Sequence, residues 1–229
     1  SGPHGFLRTA AHAHADALSV EVRHGGVDVL ADPATYCYHG EREWRDYFRS
    51  TAAHNTVELA RSNQSRSGGP FLWLRRAPSR LIGLEHGPAG ELRLWSAEHD
   101  GYRALSPEAG HRRTVRLDDE RRTVTIVDFI ETNGPHELAL RFHLGPAVDA
   151  QLEGAVARLH WVTPATGTAR CAVLALPEEL RWRAHRGETD PVLGWYSSAF
   201  GEKAPATTLV GTGVCRAPSL EIRTTLEFA

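Results

Sequence analysis

The sequence predicts an all-β fold: a large antiparallel β-sandwich of two packed sheets, with at most one or two short helices. Short runs that alternate apolar and polar residues recur along the chain, and turn signals separate them at intervals of roughly 8–12 residues. Apolar residues make up 41% of the 229 residues, enough for a sizeable core. No repeat, low-complexity tract or linker divides the chain, so we expect a single domain over residues 1–229.

The first element is a predicted β-hairpin. Residues 18–23 and 27–30 alternate on either side of Gly25 and Gly26, a pair typical of a tight turn. Pro33 ends the second strand, because proline has no backbone N–H to give to a central ladder.

A run of chemically active side chains precedes this hairpin. If its backbone is also extended, alternation places His12, His14 and Asp16 on one face. Asp16 is then either an orienting partner for a neighbouring imidazole or a simple surface carboxylate.

The single helical pattern lies at residues 41–49. Trp44, Tyr47 and Phe48 have the spacing i, i+3, i+4 and are expected to face the core. Residues 62–70 are polar and contain glycine, which predicts a loop.

Beyond residue 70 the chain is predicted to form successive strands. Residues 114–117 and 123–129 form a second hairpin across an acidic turn, and His143 is expected to be a hydrogen-bonded core residue. The other predicted strands are 71–75, 81–84, 92–96, 138–143, 157–162, 171–176, 207–215 and 220–228.

Charge and composition exclude some classes of partner. The net charge is −2 and basic residues are spread along the chain, so no nucleic-acid partner is expected. Only Lys203 among the basic residues is lysine. Arginine suits bidentate contacts to carboxylate or sulfate, although nucleotide bias accounts for the excess equally well.

The chain carries no sign of a disulfide framework, a membrane span or a signal peptide. Its three cysteines are an odd number and widely spaced, which leaves the redox compartment open. No apolar run approaches the roughly 18 residues of a transmembrane helix. The opening Ser1-Gly2-Pro3 suggests a domain cut from a larger protein or a processed product.

Three side chains form a candidate metal site. His14, Asp32 and His54 would come from a strand, a strand end and a loop, and two imidazoles with one carboxylate suit Zn²⁺. His12 would then remain free for substrate. The chain has 13 histidines, so His-x-His pairs also arise by chance, and a satisfied polar face at a sandwich edge is the alternative.

Several motifs resemble the heparinase II/III family of polysaccharide lyases. The resemblance is specific in the first third of the chain and looser beyond it. The matching segments are 11–19 (AHAHADALS), 32–36 (DPATY), 44–51 (WRDYFRST), 53–56 (AHNT), 67–71 (SGGPF), 141–146 (RFHLGP), 194–197 (GWYS) and 200–203 (FGEK).

The resemblance implies more than the residues alone. Such enzymes join an N-terminal (α/α) toroid to a C-terminal β-sandwich, and this chain would be the sandwich. It implies a zinc bound by His14, Asp32 and His54, more structural than Lewis-acidic, and it places His12 in the catalytic cleft. The Tyr that acts as acid and base lies in the toroid, so this chain alone is expected to be incomplete. The resemblance alone favours a periplasmic or secreted location.

The expected reaction is β-elimination on a polymer that contains uronic acid, which is glycosaminoglycan-like and acidic. His12 would neutralise the substrate carboxylate or act as a base. Arg49 and Asn55 are candidate donors to a sugar carboxylate or sulfate, and Tyr36 is a candidate for lining a glycan groove. A solvated arginine, a turn asparagine and a packed tyrosine are about equally consistent with the sequence.

Two other functions remain open from the sequence. One is a non-catalytic carbohydrate-binding or structural sandwich. The other is an Fe(II)-dependent oxygenase, since His14, Asp16 and His54 satisfy a His-x-Asp…His triad. That fold needs several strands before the triad, and few residues precede it here.

Overall fold

The computed structural model describes residues 10–229. Residues 1–9, which include the Ser1-Gly2-Pro3 opening, lie outside the described part. The strands are β1 Val22–His24, β2 Val27–Leu30, β3 Val57–Leu59, β4 Arg66–Gly69, β5 Leu72–Arg75, β6 Ser79–His86, β7 Leu92–His99, β8 Ala109–Asp118, β9 Thr123–Thr132, β10 His136–His143, β11 Asp149–Glu153, β12 Val156–Val162, β13 Ala169–Ala175, β14 Arg181–Arg186, β15 Glu188–Thr189, β16 Val192–Leu193, β17 Trp195–Ala199, β18 Glu202–Pro205, β19 Thr207–Cys215 and β20 Ser219–Phe228. The helices are α1 Arg42–Phe48 and a 3₁₀ turn at Thr51–Ala53.

Two antiparallel sheets form the sandwich, which confirms the predicted fold class. One has four strands in the order β14-β19-β10-β3, and the other has eight in the order β11-β12-β13-β20-β9-β8-β7-β6. The pairs β1-β2, β4-β5, β15-β16 and β17-β18 are separate two-stranded ribbons. Both predicted hairpins are present, and α1 matches the predicted helix.

The core lies between the inner faces of the two sheets. Strand β9 buries alternate side chains, so Ile126 and Ile130 point inward while their neighbours are half-buried or exposed. Leu140 and Phe142 of β10 face them from the other sheet and belong to the same buried cluster. Alternation along each strand therefore creates the two apolar faces that the sandwich buries.

Aromatic side chains of α1 form a smaller cluster. Tyr47 and Phe48 are buried with Tyr36, and Trp44 packs against them, as expected for core residues. The helix is therefore fixed against the loop that follows β2.

Two local predictions were wrong. Residues 12–16 are not extended: turns occur at Ala11–His12 and Ala17–Leu18, so His12 and Asp16 are exposed while His14 is buried. The Ala15 amide donates to the Arg49 carbonyl (2.9 Å), so the segment pairs with the end of α1 rather than with a strand. Within the predicted loop 62–70, residues 66–69 form β4 and pair with β5.

Several strands were missed because their sequences carry little apolar alternation. Strand β14 reads RWRAHR and lies at the edge of the four-stranded sheet, where polar side chains reach solvent. Strand β3 has three residues, all of them buried, and so offers no alternation at all.

A buried ion pair ties the eight-stranded sheet to the segments ahead of it. Arg113 donates from Nε and Nη2 to the two oxygens of Asp128, at 2.7 and 2.9 Å. Its Nη1 also donates to the carbonyls of Leu18 (2.8 Å) and Asn55. Burial would raise the pKa of Asp128, but Arg113 and His111 outweigh burial and hold that pKa at about 2.

Asp128→Asn should destabilise the protein by about 3–5 kcal/mol, because it leaves the Arg113 charge buried without a partner. Arg61→Gln is a matched control that removes an exposed ion pair to Glu137 and should cost less than about 1 kcal/mol. Urea unfolding measures both. Equal effects of the two substitutions would contradict the assignment of Asp128 as the partner of a buried charge.

The same carboxylate should make stability fall in acid. Its folded pKa of about 2 lies below the ordinary 3.8, so its contribution is present above about pH 4. That contribution should be lost as the pH falls toward 2, and Asp128→Asn should lack this component of the pH profile.

Candidate metal-binding site

Three separate segments bring one donor side chain each to a common point. His14 lies in the irregular segment before β1, Asp32 lies two residues after β2, and His54 directly follows the 3₁₀ turn. One donor atom from each lies within 4.8 Å of the other two. The structure therefore brings together the three side chains that the sequence predicted as candidate ligands.

The spacing of these atoms fits a small tetrahedral ion. His14 Nδ1 lies 3.1 Å from His54 Nε2, and His54 Nε2 lies 3.5 Å from Asp32 Oδ2. Ligands of a tetrahedral Zn²⁺ at 2.0–2.1 Å are separated from one another by roughly 3.3 Å. Two nitrogens and one carboxylate oxygen leave a fourth position for water, which is a common zinc arrangement.

His54 is held so that its free nitrogen faces the cluster. Its ring is fully buried, and Nδ1 lies 2.7 Å from the Ser50 carbonyl. A carbonyl oxygen only accepts, so Nδ1 carries the proton and Nε2 of the neutral ring keeps its lone pair. This is the second contact by which proteins orient a metal-binding histidine.

His14 has a partner that allows either tautomer. Its Nε2 lies 3.1 Å from Thr35 Oγ1, and a hydroxyl both donates and accepts. Without a metal, Nδ1–H of His14 donates to His54 Nε2 and Thr35 donates to His14. If the cluster held a metal, His14 would carry its proton on Nε2 and donate it to Thr35, and Nδ1 would be available as a ligand.

The loop after β2 fixes the carboxylate. Asp32 Oδ1 accepts from the Ala34 amide at 2.7 Å, which leaves Oδ2 toward His54. The Ser197 amide donates to the Pro33 carbonyl (3.0 Å) and Ser197 Oγ donates to the Thr35 carbonyl (3.2 Å). Strand β17, far along the chain, therefore holds the loop that presents Asp32.

Asp16 does not join this cluster. Asp16 is exposed. The acidic member of the described cluster is Asp32. The His14-Asp16-His54 triad of the oxygenase alternative is therefore not formed. The Thr35 hydroxyl orients the His14 ring and the Ser50 carbonyl orients the His54 ring. The sequence did not predict these contacts, because hydroxyl and carbonyl groups occur throughout the chain and carry no specific pattern.

His12 lies on the surface beside the cluster. It is exposed, and its ring packs edge-on against Tyr38 with 4.9 Å between ring centres. The predicted shared face of His12 and His14 is wrong, because a turn at residues 11–12 leaves His12 exposed while His14 is buried. An exposed imidazole there is accessible to a ligand.

Asn55 does not fit the predicted role of substrate donor. It is fully buried, and its Nδ2 donates to the carbonyls of Val20 (2.9 Å) and Ala31 (3.0 Å). Its Oδ1 accepts from the His143 amide at 2.6 Å. The carboxamide therefore joins the first hairpin to β10, and both of its N–H donors are used inside the protein, so none is left for a sugar.

Tyr36 does not fit the predicted groove role either. It is 7% exposed, its hydroxyl donates to Glu41 Oε1 at 2.6 Å, and Lys203 Nζ sits 3.9 Å from its ring centre. It packs in the α1 cluster, the alternative that the sequence had left open.

Arg49 is buried rather than solvated, with 2% exposure, but it lines a cavity. Nη1 donates to the Gly69 carbonyl (2.6 Å) and Ser67 Oγ (3.3 Å). Burial, and then the neighbouring charge of Arg45, lower the pKa of Arg49 to about 10, so it stays charged at neutral pH.

His143 is the hydrogen-bonded core residue that was expected. Its Nε2 lies 3.1 Å from the Ala52 carbonyl and its Nδ1 lies 2.9 Å from Thr208 Oγ1. It thereby fixes the 3₁₀ turn that precedes His54.

Fold and site together define a β-sandwich module with a His–Asp–His cluster beside its first hairpin. The chain belongs to the family described as Heparinase II/III-like, C-terminal, whose profile matches residues 1–225. The motifs at residues 11–56 had indicated this family. A comparison with curated proteins gives no match.

Solved structures share the fold over the whole chain. A "Heparinase III-BT4657 gene product" aligns with a TM-score of 0.75 at 19% identity, and covers 100% of this chain and 32% of its own. The "heparan sulfate lyase HepC from Pedobacter heparinus" aligns with a TM-score of 0.70 at 14% identity, with 100% and 32% coverage. This chain thus spans about a third of either protein.

Asn55→Ala should lower the free energy of unfolding by about 3 kcal/mol or more, since it leaves one backbone amide and two backbone carbonyls buried without hydrogen-bond partners. Asn63→Ala is the control: Asn63 is exposed and accepts one bond, from the Thr51 amide, so it should cost about 1 kcal/mol. Urea unfolding tests both. Unchanged stability of Asn55→Ala, with weaker saccharide binding, would restore the substrate role.

Proposed function

We propose that this chain is the C-terminal domain of a polysaccharide lyase that cleaves uronic-acid-containing polymers by β-elimination and carries a structural zinc. The observation that carries the proposal is the convergence of His14, Asp32 and His54 beside exposed His12, in a chain of the Heparinase II/III-like, C-terminal family. The names of the similar structures, a heparinase III and a heparan sulfate lyase, support a glycosaminoglycan-like substrate.

The chemistry of β-elimination explains why the exposed imidazole of His12 would be needed. In β-elimination a base removes the proton at C5 of the uronate, the C4–O4 bond breaks, and an acid protonates the departing oxygen. A C4–C5 double bond remains. Donors near the sugar carboxylate stabilise the charge that develops when the C5 proton leaves. Exposed His12 has the chemistry either to neutralise that carboxylate or to accept the C5 proton.

The metal's proposed contribution is structural. Zinc bound by His14, Asp32 and His54 would join the segment before β1, the loop after β2 and the 3₁₀ turn. His12 lies two residues from His14, so this attachment would fix the backbone that presents His12. The chain's own residues, Thr35 and Ser50, supply the orientation of both rings.

The rest of the machinery is proposed to lie outside this chain. An N-terminal toroid of the same protein would supply the Tyr that acts as acid and base. The substrate partner would be an acidic polysaccharide or oligosaccharide, and we expect the protein in the periplasm or secreted. No helix within residues 10–229 has the length and apolar character to cross a bilayer.

A non-catalytic glycan-binding module is the second candidate. Two exposed aromatic residues, Phe71 (46%) and Phe200 (59%), flank Tyr38 with ring centres 6.1 and 5.1 Å away. Exposed rings of this kind suit stacking on sugar faces. This surface adjoins His12, so the two candidates would use the same region.

Purified protein should contain about one zinc per chain, and His14→Ala should lose the metal and melt at a lower temperature, because a ligand is removed. His160→Ala, an exposed histidine on β12, is the matched control and should keep both. Elemental mass spectrometry and thermal melting measure the two quantities. Full metal content in His14→Ala would contradict the ligand assignment.

His12→Ala in the longer protein that carries this domain should lower the lyase rate by about 10²–10⁴-fold, the contribution typical of a positioned acid or base. Zinc content should not change. Ultraviolet absorbance of the unsaturated uronate measures the rate, and His160→Ala is again the control. Wild-type protein that is inactive on every uronate polymer tested would overturn the lyase proposal and favour the binding module.

A further inference from the structure

A large cavity opens beside α1, and none of the residues that line it belongs to the His14–Asp32–His54 cluster. Its volume is about 1310 Å³, above the roughly 300–1,000 Å³ of pockets that hold drug-sized ligands. The β4–β5 ribbon forms one wall. Five arginines line the cavity, against one acidic residue: Arg42, Arg45, Arg49, Arg66 and Arg75, with Asp46.

Arg49 lines this cavity, and one edge of its guanidinium has no hydrogen-bond partner. Its Nη1 is bonded to the β4 end of the ribbon, and its guanidinium lies 4.1 Å from the Trp73 ring centre. Nε and Nη2, which form one side of the guanidinium, have no hydrogen-bond partner although both are buried. That side is the bidentate edge with which arginine binds carboxylate or sulfate.

Arg45 adds a third free donor one helical turn earlier. It is 1% exposed, and its Nε and Nη2 donate to the Pro70 carbonyl, at 3.3 and 3.1 Å. Its Nη1 is buried without a partner. The i, i+4 spacing of Arg45 and Arg49 places both side chains on one side of the chain.

Neither buried charge has a carboxylate partner among residues 10–229. The one acidic residue of the lining, Asp46, pairs instead with Arg42 on the outside, at 3.4 Å. A buried charge without a counter-charge is costly, and unpaired buried donors add to that cost. The lowered pKa of Arg49 reflects the same free-energy cost of burying a charge, and a bound anion would reduce that cost.

We infer that Arg45 and Arg49 form a binding site for an oxyanion, a carboxylate or sulfate group carried by an acidic saccharide. The anion accepts from Arg49 Nε and Nη2 and from Arg45 Nη1. The saccharide identity rests on the proposed function, whereas the anion site rests on the free donors alone.

The position of the site relates it to His12. The Arg45 guanidinium lies 5.1 Å from the Tyr38 ring centre, and His12 packs edge-on against the same ring, with 4.9 Å between ring centres. Arg45 Nη2 also donates to the Ala11 carbonyl at 3.3 Å. An acidic group held in the cavity therefore anchors a saccharide whose next units extend toward His12.

Sodium sulfate tests the site directly. At matched ionic strength against sodium chloride, sulfate should raise the melting temperature of the wild-type chain by about 2–4 °C through binding to the folded state. Arg49→Lys keeps the charge but loses the bidentate edge, so this specific increment should vanish. Arg61→Lys, an exposed arginine paired with Glu137, should keep it.

Sulfate also stabilises proteins by exclusion from their surfaces, and that effect is the same in all three proteins. An equal response of all three would therefore overturn the proposal and leave Arg45 and Arg49 as supports of the β4–β5 ribbon. If Arg49→Lys fails to fold, sulfate titration of the wild-type chain by NMR replaces it. The Nε–H signal of Arg49 should then shift with saturation, and an unmoved signal overturns the site.

Two small sugars distinguish the anion's source. Competition for the sulfate-induced shift by glucuronate identifies a carboxylate site, and competition by glucosamine 6-sulfate identifies a sulfate site. Failure of both to compete would overturn the saccharide assignment. Retained sulfate binding in an inactive protein overturns only the lyase proposal, whereas lost binding with intact activity overturns only this site.

Discussion

The contact between His14 and His54 is the constraint on which the rest of the site depends. Two imidazole nitrogens 3.1 Å apart in a buried setting must share one proton or one metal ion. The Ser50 carbonyl leaves His54 Nε2 unprotonated, and the Thr35 hydroxyl lets His14 adopt either tautomer. The cluster could therefore hold a cation, because binding would require only that His14 carry its proton on Nε2 instead of Nδ1.

Buried hydrogen bonds stabilise the segments that carry His14 and His54. The Asn55 side chain joins the first hairpin to β10, and Arg113 joins the Asn55 backbone to Asp128 in the eight-stranded sheet. The segment from α1 to His54 contributes to both features. Arg45 and Arg49 line the cavity and His54 belongs to the candidate metal cluster, so displacement of this segment would disturb both.

Sequence alone predicted the sandwich, the two hairpins, α1 and the clustering of the three candidate ligands, because apolar alternation and ligand type are local signals. It failed where tertiary bonds decide the outcome. The extended backbone expected at His12 and His14 is replaced by turns, since the Arg49 carbonyl accepts a hydrogen bond from the Ala15 amide. Asn55 was taken for a substrate donor because nothing in the sequence shows that distant backbone groups occupy its carboxamide. The place of Arg45 in the cavity lining was missed for the same reason.

The most direct test of the metal site is anomalous diffraction from crystals of the zinc-loaded chain, with data collected above and below the zinc absorption edge. The account predicts one strong peak between His14 Nδ1, His54 Nε2 and Asp32 Oδ2, with Thr35 and Ser50 still bonded to the rings. A peak elsewhere, or none at this position with zinc in excess, would contradict it.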